Sequence, residues 1–161
     1  MAFRELRRIG DPILSIRCEE IREITPDIHQ LVEDLLENVN DPGRTGLAAN
    51  QIGVSLRAFS WHLGDTVDYI LNPVIVELSE ELQHVPEGCL SVPGYSFAAP
   101  RATYARAEGI DLDGNPKVVE GTERLARCIQ HEVGHLNGQL YLNVLEGMER
   151  QAALRAFAAS R

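Results

Sequence analysis

The sequence predicts an α+β fold. Two observations carry the prediction: strand-like runs and turn signals fill the middle of the chain, and segments with helical apolar spacing stand before and after them. At 161 residues, without internal repeats or low-complexity linkers, the chain reads as one domain, 1–161. That length can bury a core without disulfides.

The first helix is TPDIHQLVEDLLENVND, where Thr25 can cap and Pro26 suits the first turn. Ile28, Leu31, Val32, Leu35, Leu36 and Val39 form one apolar stripe, and Asp41-Pro42-Gly43 ends it. VDYILNPVIVELS reads as a strand with a break or edge at Asn72-Pro73. VPEGCLSVPGYSF is punctuated by Pro86, Gly88, Pro93 and Gly94, so an irregular segment near short strands is expected. ARAEGIDLDGNPKVVEG holds Asp113-Gly114-Asn115-Pro116 between two apolar runs, a hairpin signal. TERLARCIQHEVGHL returns to helical spacing, with Thr122 as a cap and Asn137-Gly138 as the stop. A last short helix, GMERQAALRAFAAS, offers Met148, Ala152, Leu154 and Phe157 for packing.

Charge and composition narrow the function. Fifteen basic against 24 acidic residues give a net charge of −9, which disfavours DNA and tight phosphate-backbone binding by the whole surface. No apolar run approaches the roughly 20 residues of a membrane span. Glu5 and the turn-like Gly10-Asp11-Pro12 interrupt any signal-peptide core, so the cytoplasm is the expected compartment. Three cysteines suit ligand or core duty rather than a disulfide framework.

CIQHEVGHLNG carries the chemistry. On a wheel of about 100° per residue with Leu125 at zero, Cys128, Ile129, Val133 and Leu136 define a buried stripe. Glu132 falls inside it, His131 and His135 sit side by side on its margin, and Gly134 faces away. A carboxylate in an apolar stripe needs a partner or a raised pKa. A metal ion held by the two imidazoles answers that need, with Glu132 accepting a proton from water. A catalytic site of this kind wants a third protein ligand. Cys128, three residues before His131, and Cys89 in EGCLS both qualify, each with an ordinary reading as a small buried hydrophobe; Cys18 is given no role. GLAANQIG places Gly46, Ala48 and Ala49 before Gln51, whose amide can donate to an oxyanion or simply lie on a packed loop.

Together, GLAANQ, EGCLS and QHEVGH resemble the three motifs of the peptide deformylase family, in order and in separation. The resemblance implies antiparallel or mixed β-strands around a central metal-binding helix, with one helix in the N-terminal half and another at the C-terminus. It implies that Cys89, His131 and His135 bind a divalent metal, ferrous iron in the cell, with zinc, nickel or cobalt able to replace it. It further implies Glu132 as general acid and base, with Gln51 and the Leu90 backbone N–H as oxyanion donors. Thr45, Gly46, Glu87, Gly88, Leu125 and Cys128 would lie around the substrate. The implied reaction removes the formyl group from N-formylmethionine on new polypeptides, releasing formate, in a monomer. Arg150, Arg155 and Arg161 could dock on the ribosome near the nascent-chain exit, although a packed helix is the simpler reading.

Two positions leave the usual pattern: Gly134 replaces the aspartate of H-E-x-D-H, and Arg44 stands where a glycine is usual. Neither is a proposed ligand, base or oxyanion donor. The rival readings are a zincin-like peptidase or other amidase, and a catalytically silent metal-stabilised or ribosome-associated protein.

Overall fold

The computed structural model describes residues 4–159; Arg161 lies outside them. The predicted first helix is α1, Pro26–Val39, with Pro26 in its first turn. Thr25 caps it through its backbone carbonyl, which accepts from the Ile28 and His29 N–H groups, and not through its hydroxyl. The predicted stripe is buried except for Leu36, which is half-buried.

Five strands form an antiparallel sheet in the order β1-β2-β3-β6-β7: Gly46–Ala48, Ala58–Leu63, Thr66–Leu78, Tyr104–Ile110 and Pro116–Thr122. The expected hairpin joins β6 to β7. The break expected at Asn72-Pro73 is a bulge inside one continuous β3, where Asn72 takes φ 49°. The Asn72 amide hydrogen-bonds both backbone groups of Ile21, tying the N-terminal segment to the bulge.

Alternation along these strands places two helices on opposite faces. Phe59, Trp61 and Ile70 face α2, Glu123–Leu136, and pack with Ile129 and Leu136. Ala58, Leu47 and Leu71 face α1 and pack with Leu31, Leu35 and Val39. Ala105 and Ala107 on β6 are fully buried under α2, so the helix settles close to the sheet.

The stretch VPEGCLSVPGYSF differs from expectation. It forms much of a two-stranded ribbon, β4 (Leu82–Cys89) paired antiparallel with β5 (Val92–Ala102), with a register shift between Glu87 and Cys89. Proline reads as irregular because it lacks the N–H that an interior ladder needs, and glycine because it weakens a strand interior. A ribbon of two strands has only edges, where they are tolerated. The last helix, α3 (Gly147–Ala159), packs through Phe157 as expected but corrects Met148 and Leu154. Ala153 is its buried residue and Phe157 stacks on Tyr95 at 4.5 Å, whereas Met148 and Leu154 are exposed.

The C-terminal carbonyls of α2 are satisfied from three directions. Asn50 Nδ2 donates to His135 O at 2.7 Å, while Arg57 Nη1 and the Cys18 N–H each donate to Leu136 O at 2.8 Å. Free carbonyls and negative dipole charge at a helix end favour such donors, the cationic one above all. These bonds fix the depth and rotation of the helix that carries both histidines.

A Cβ added at Gly134 would meet nothing within 4 Å, in agreement with its outward place on the wheel. Gly134→Ala should therefore raise unfolding stability by about 1 kcal/mol, read as a higher urea midpoint with an unchanged slope.

Candidate metal centre

Three donors converge from two elements. Cys89 ends β4, and His131 and His135 stand one turn apart on α2. One ligand atom from each lies within 4.8 Å of the other two, and Cys89 Sγ is 3.3 Å from His135 Nε2. Bonds of about 2.0–2.3 Å from a single ion would set sulfur and nitrogen donors roughly 3–4 Å apart, the scale found here. A thiolate and two imidazoles are the donor chemistry of zinc and its first-row neighbours. The residues fit a divalent ion.

The surroundings prepare each ligand. Glu87 Oε1 lies 2.9 Å from His131 Nδ1, leaving Nε2 for the metal. Glu87 is itself gripped by Arg101 through two hydrogen bonds of 2.8 and 3.1 Å. Burial works against the Glu87 carboxylate, but bonds from His131 and Arg101 outweigh it and hold its pKa below the usual value. Burial drives the His135 pKa well down, with the His131 and Arg101 charges adding to it, so the ring stays neutral as a ligand must. At His131 burial also opposes the charge, yet bonds to Cys89 and Glu87 with the Glu132 charge lift it to about 10. The ring sits among anionic groups that favour a cation beside them.

Glu132 is buried at the floor of the same pocket, and its Oε2 has no hydrogen-bond partner among the described residues. Burial raises its carboxyl to about 7, against the pull of His131, with smaller opposed contributions from Glu87 and Arg101. It packs against Gly46 at the start of β1. A Cβ there would stand 2.7 Å from Glu132 Oε1 and 2.8 Å from Cys128 Sγ, so only glycine leaves room. Burial, with Glu132 and Glu87 nearby, pushes the Cys128 thiol well above its ordinary pKa. It is a neutral wall of the pocket, 3.9 Å from Thr45 O, and the third ligand comes from β4.

Gln51 is oriented by three contacts. Its Oε1 accepts from the Ala48 N–H at 2.9 Å, which turns Nε2 toward Ser91 Oγ at 3.1 Å and Cys89 Sγ at 3.9 Å. The donating end of the amide therefore faces the metal ligands. Leu90 stands in the turn between β4 and β5 and lines the same cavity of about 400 Å³.

Thr45, Gly46, Glu87, Gly88 and Cys128 also line that cavity. Leu125 does not: it packs against the core between α2 and the sheet, with its side chain over Gly121. Its expected place on the wall is taken by Arg124 and Arg127. At about 260° and 200° these flank His131 at 240°, so the same wheel could have singled them out. Ser91, Asn50 and Arg101 act through hydrogen bonds across the chain and left no local signal.

Residues 3–151 match the polypeptide deformylase family. The chain is 43% identical over 156 residues to the peptide deformylase of Acidothermus cellulolyticus, covering 97% of this chain and 86% of that one. It is 42% identical to peptide deformylase 1 of Corynebacterium glutamicum, covering 99% and 97%. Its structure is similar to that of the peptide deformylase from Ehrlichia chaffeensis in complex with actinonin (TM-score 0.89, 32% identity, 100% and 99% covered). The Thermus thermophilus peptide deformylase superposes with a TM-score of 0.88 at 37% identity, over 97% and 93% of the two chains.

Metal content separates the two cysteines near α2. Cys89→Ala should lose the ion, and Cys128→Ala should retain it, when both are purified anaerobically and assayed by mass spectrometry of the metal. Retention in the first and loss in the second would move the ligand onto the helix.

Proposed function

The chain belongs to the peptide deformylase family and removes formyl groups from polypeptide N-termini, and we propose that Glu132 carries the proton in that reaction. The supporting observation is a buried carboxylate with one unpartnered oxygen, beside a Cys-His-His metal site typical of deformylases.

Cys89, His131 and His135 would hold the ion, with Glu87 and Arg101 steadying His131. A divalent ion there supplies a Lewis acid and lets water be deprotonated near neutral pH. Glu132 takes the proton from the water that attacks the formyl carbon. Gln51 Nε2 and the Leu90 N–H donate to the oxygen on which negative charge develops. As the C–N bond breaks, Glu132 hands the proton to the leaving amine, and formate and a free N-terminus result. Burial suits Glu132 to both transfers, because it brings the proton affinities of the acid and its partners closer.

The physiological substrate in this reading is N-formylmethionine on new polypeptides in the cytoplasm, and the enzyme acts as a monomer. Among the described residues, no helix is long and apolar enough to cross a membrane. Exposed Arg150 and Arg155 on α3 would give a docking face near the ribosomal exit. Ferrous iron as the working ion rests on the family resemblance; the thiolate and imidazoles also accept zinc, nickel and cobalt.

Glu132→Ala should keep its metal and lose at least about 100-fold in kcat, with formate release from formyl-Met-Ala-Ser as the readout. Unchanged turnover would remove Glu132 from the mechanism, and cleavage inside the peptide would point to a peptidase. Gly46→Ala forces Glu132 aside, and a shift of that size should cost on the order of 100-fold in rate with metal content intact. Iron-loaded enzyme should lose activity in air as Cys89 oxidises, detected by peptide mass, more quickly than zinc- or nickel-loaded enzyme.

A further inference from the structure

We infer that Arg124 and Arg127 make this enzyme select formylated polypeptides with an acidic side chain at the third residue. The inference rests on the deformylase reading of the site and adds a preference along the substrate.

The unpaired charge on the cavity wall is of one sign. Five charged side chains line it: Arg44, Arg124, Arg127, Glu87 and Glu132. Glu87 is neutralised by Arg101, and Arg44 is committed to Asp41 and to Asn38 O. Glu132 lies buried against Gly46 on the floor. Arg124 and Arg127 remain. Among the described residues neither has a carboxylate partner; Arg127 is held by the neutral Gln83, Nη1 to Oε1 at 2.7 Å. Two uncompensated guanidinium groups thus stand on one wall of a pocket in a molecule of net charge −9.

Spacing assigns them to a particular substrate position. Both lie on α2 before His131, about 6 Å and about 10 Å along the helix axis at 1.5 Å per residue. An extended peptide advances about 3.3 Å per residue. Side chains of an extended peptide alternate between faces. With the formyl carbon at the metal site and the first side chain beside Cys128, the third side chain therefore faces the same wall and comes level with Arg124, with Arg127 between. Apolar Pro86, Val92 and Tyr95 complete the cavity, and the arginine stems can cover an apolar first side chain while their heads stay at the rim. A guanidinium offers a carboxylate two parallel hydrogen bonds, which favours Glu and Asp above other polar groups.

The overall charge and the local charge predict opposite preferences. A field of −9 alone would draw lysine-bearing peptides, whereas the arginine wall draws glutamate-bearing ones. The test uses metal-loaded enzyme and C-terminally amidated formyl-Met-Ala-Ala, formyl-Met-Ala-Glu and formyl-Met-Ala-Lys, with formate release at low and high salt. The ratio of kcat/KM for the Glu over the Lys peptide should be at least about fivefold. It should arise mainly in KM and shrink in 0.5 M salt through screening at about 4–5 Å. Arg124→Gln with Arg127→Gln should bring the ratio close to one, and the double Arg→Glu change should invert it. Arg155→Gln, on the exposed face of α3, should leave it as in the parent. A parent ratio of one or below, or a ratio unmoved by the double Gln change, overturns the inference while deformylation of the Ala peptide stands. Absence of formate from all three peptides overturns both.

Discussion

The close approach of β1 to α2 at Gly46 is the constraint on which the site depends. With no side chain there, Glu132 and Cys128 pack directly against the strand, and the histidines one turn away come level with Cys89 at the end of β4. Ala105 and Ala107 serve the same approach from beneath, since larger residues on β6 would lift α2 off the sheet. The donors from Asn50, Arg57 and Cys18 at the far end then stop the helix from sliding along its axis. Site geometry and core packing are one arrangement.

Two carboxylates in this pocket differ only in their neighbours. Glu87 meets Arg101 and His131, keeps its charge, and orients a ligand. Glu132 meets a glycine, a neutral thiol and an apolar core, and its proton affinity rises instead. Environment, and not residue type, divides support from chemistry here.

Much of this was legible in the sequence because it was periodic. The stripe from Ile28 to Val39, the turn at Asp113-Gly114 and the histidines four apart each announce themselves within a short window, and Glu132 stands out as a charge in an apolar stripe. The β4-β5 ribbon was not legible, because Pro86, Pro93 and Gly94 carry the same local signature in an edge strand as in a loop. α3 was read only in part for a related reason: alanines supply little contrast between faces, so Phe157 packs as expected, but the buried place went to Ala153 while Met148 and Leu154 stand in solvent. The roles of Ser91, Arg101 and Glu87 depend on register between β4 and β5 and on contacts with α2. Such pairings have no sequence period to read.

The distribution of the three ligands also governs when the protein can become a metalloprotein. Cys89 and His135 are 46 positions apart, and Gln51 belongs to a still earlier segment. A chain emerging during its own synthesis presents the thiol long before either imidazole exists. It gains three converging donors only when α2 has been made and has docked on the sheet. Capture of the ion is thereby tied to completion of the tertiary structure. The ion should then act as a late clasp, stabilising finished molecules without guiding the earlier steps by which the sheet assembles.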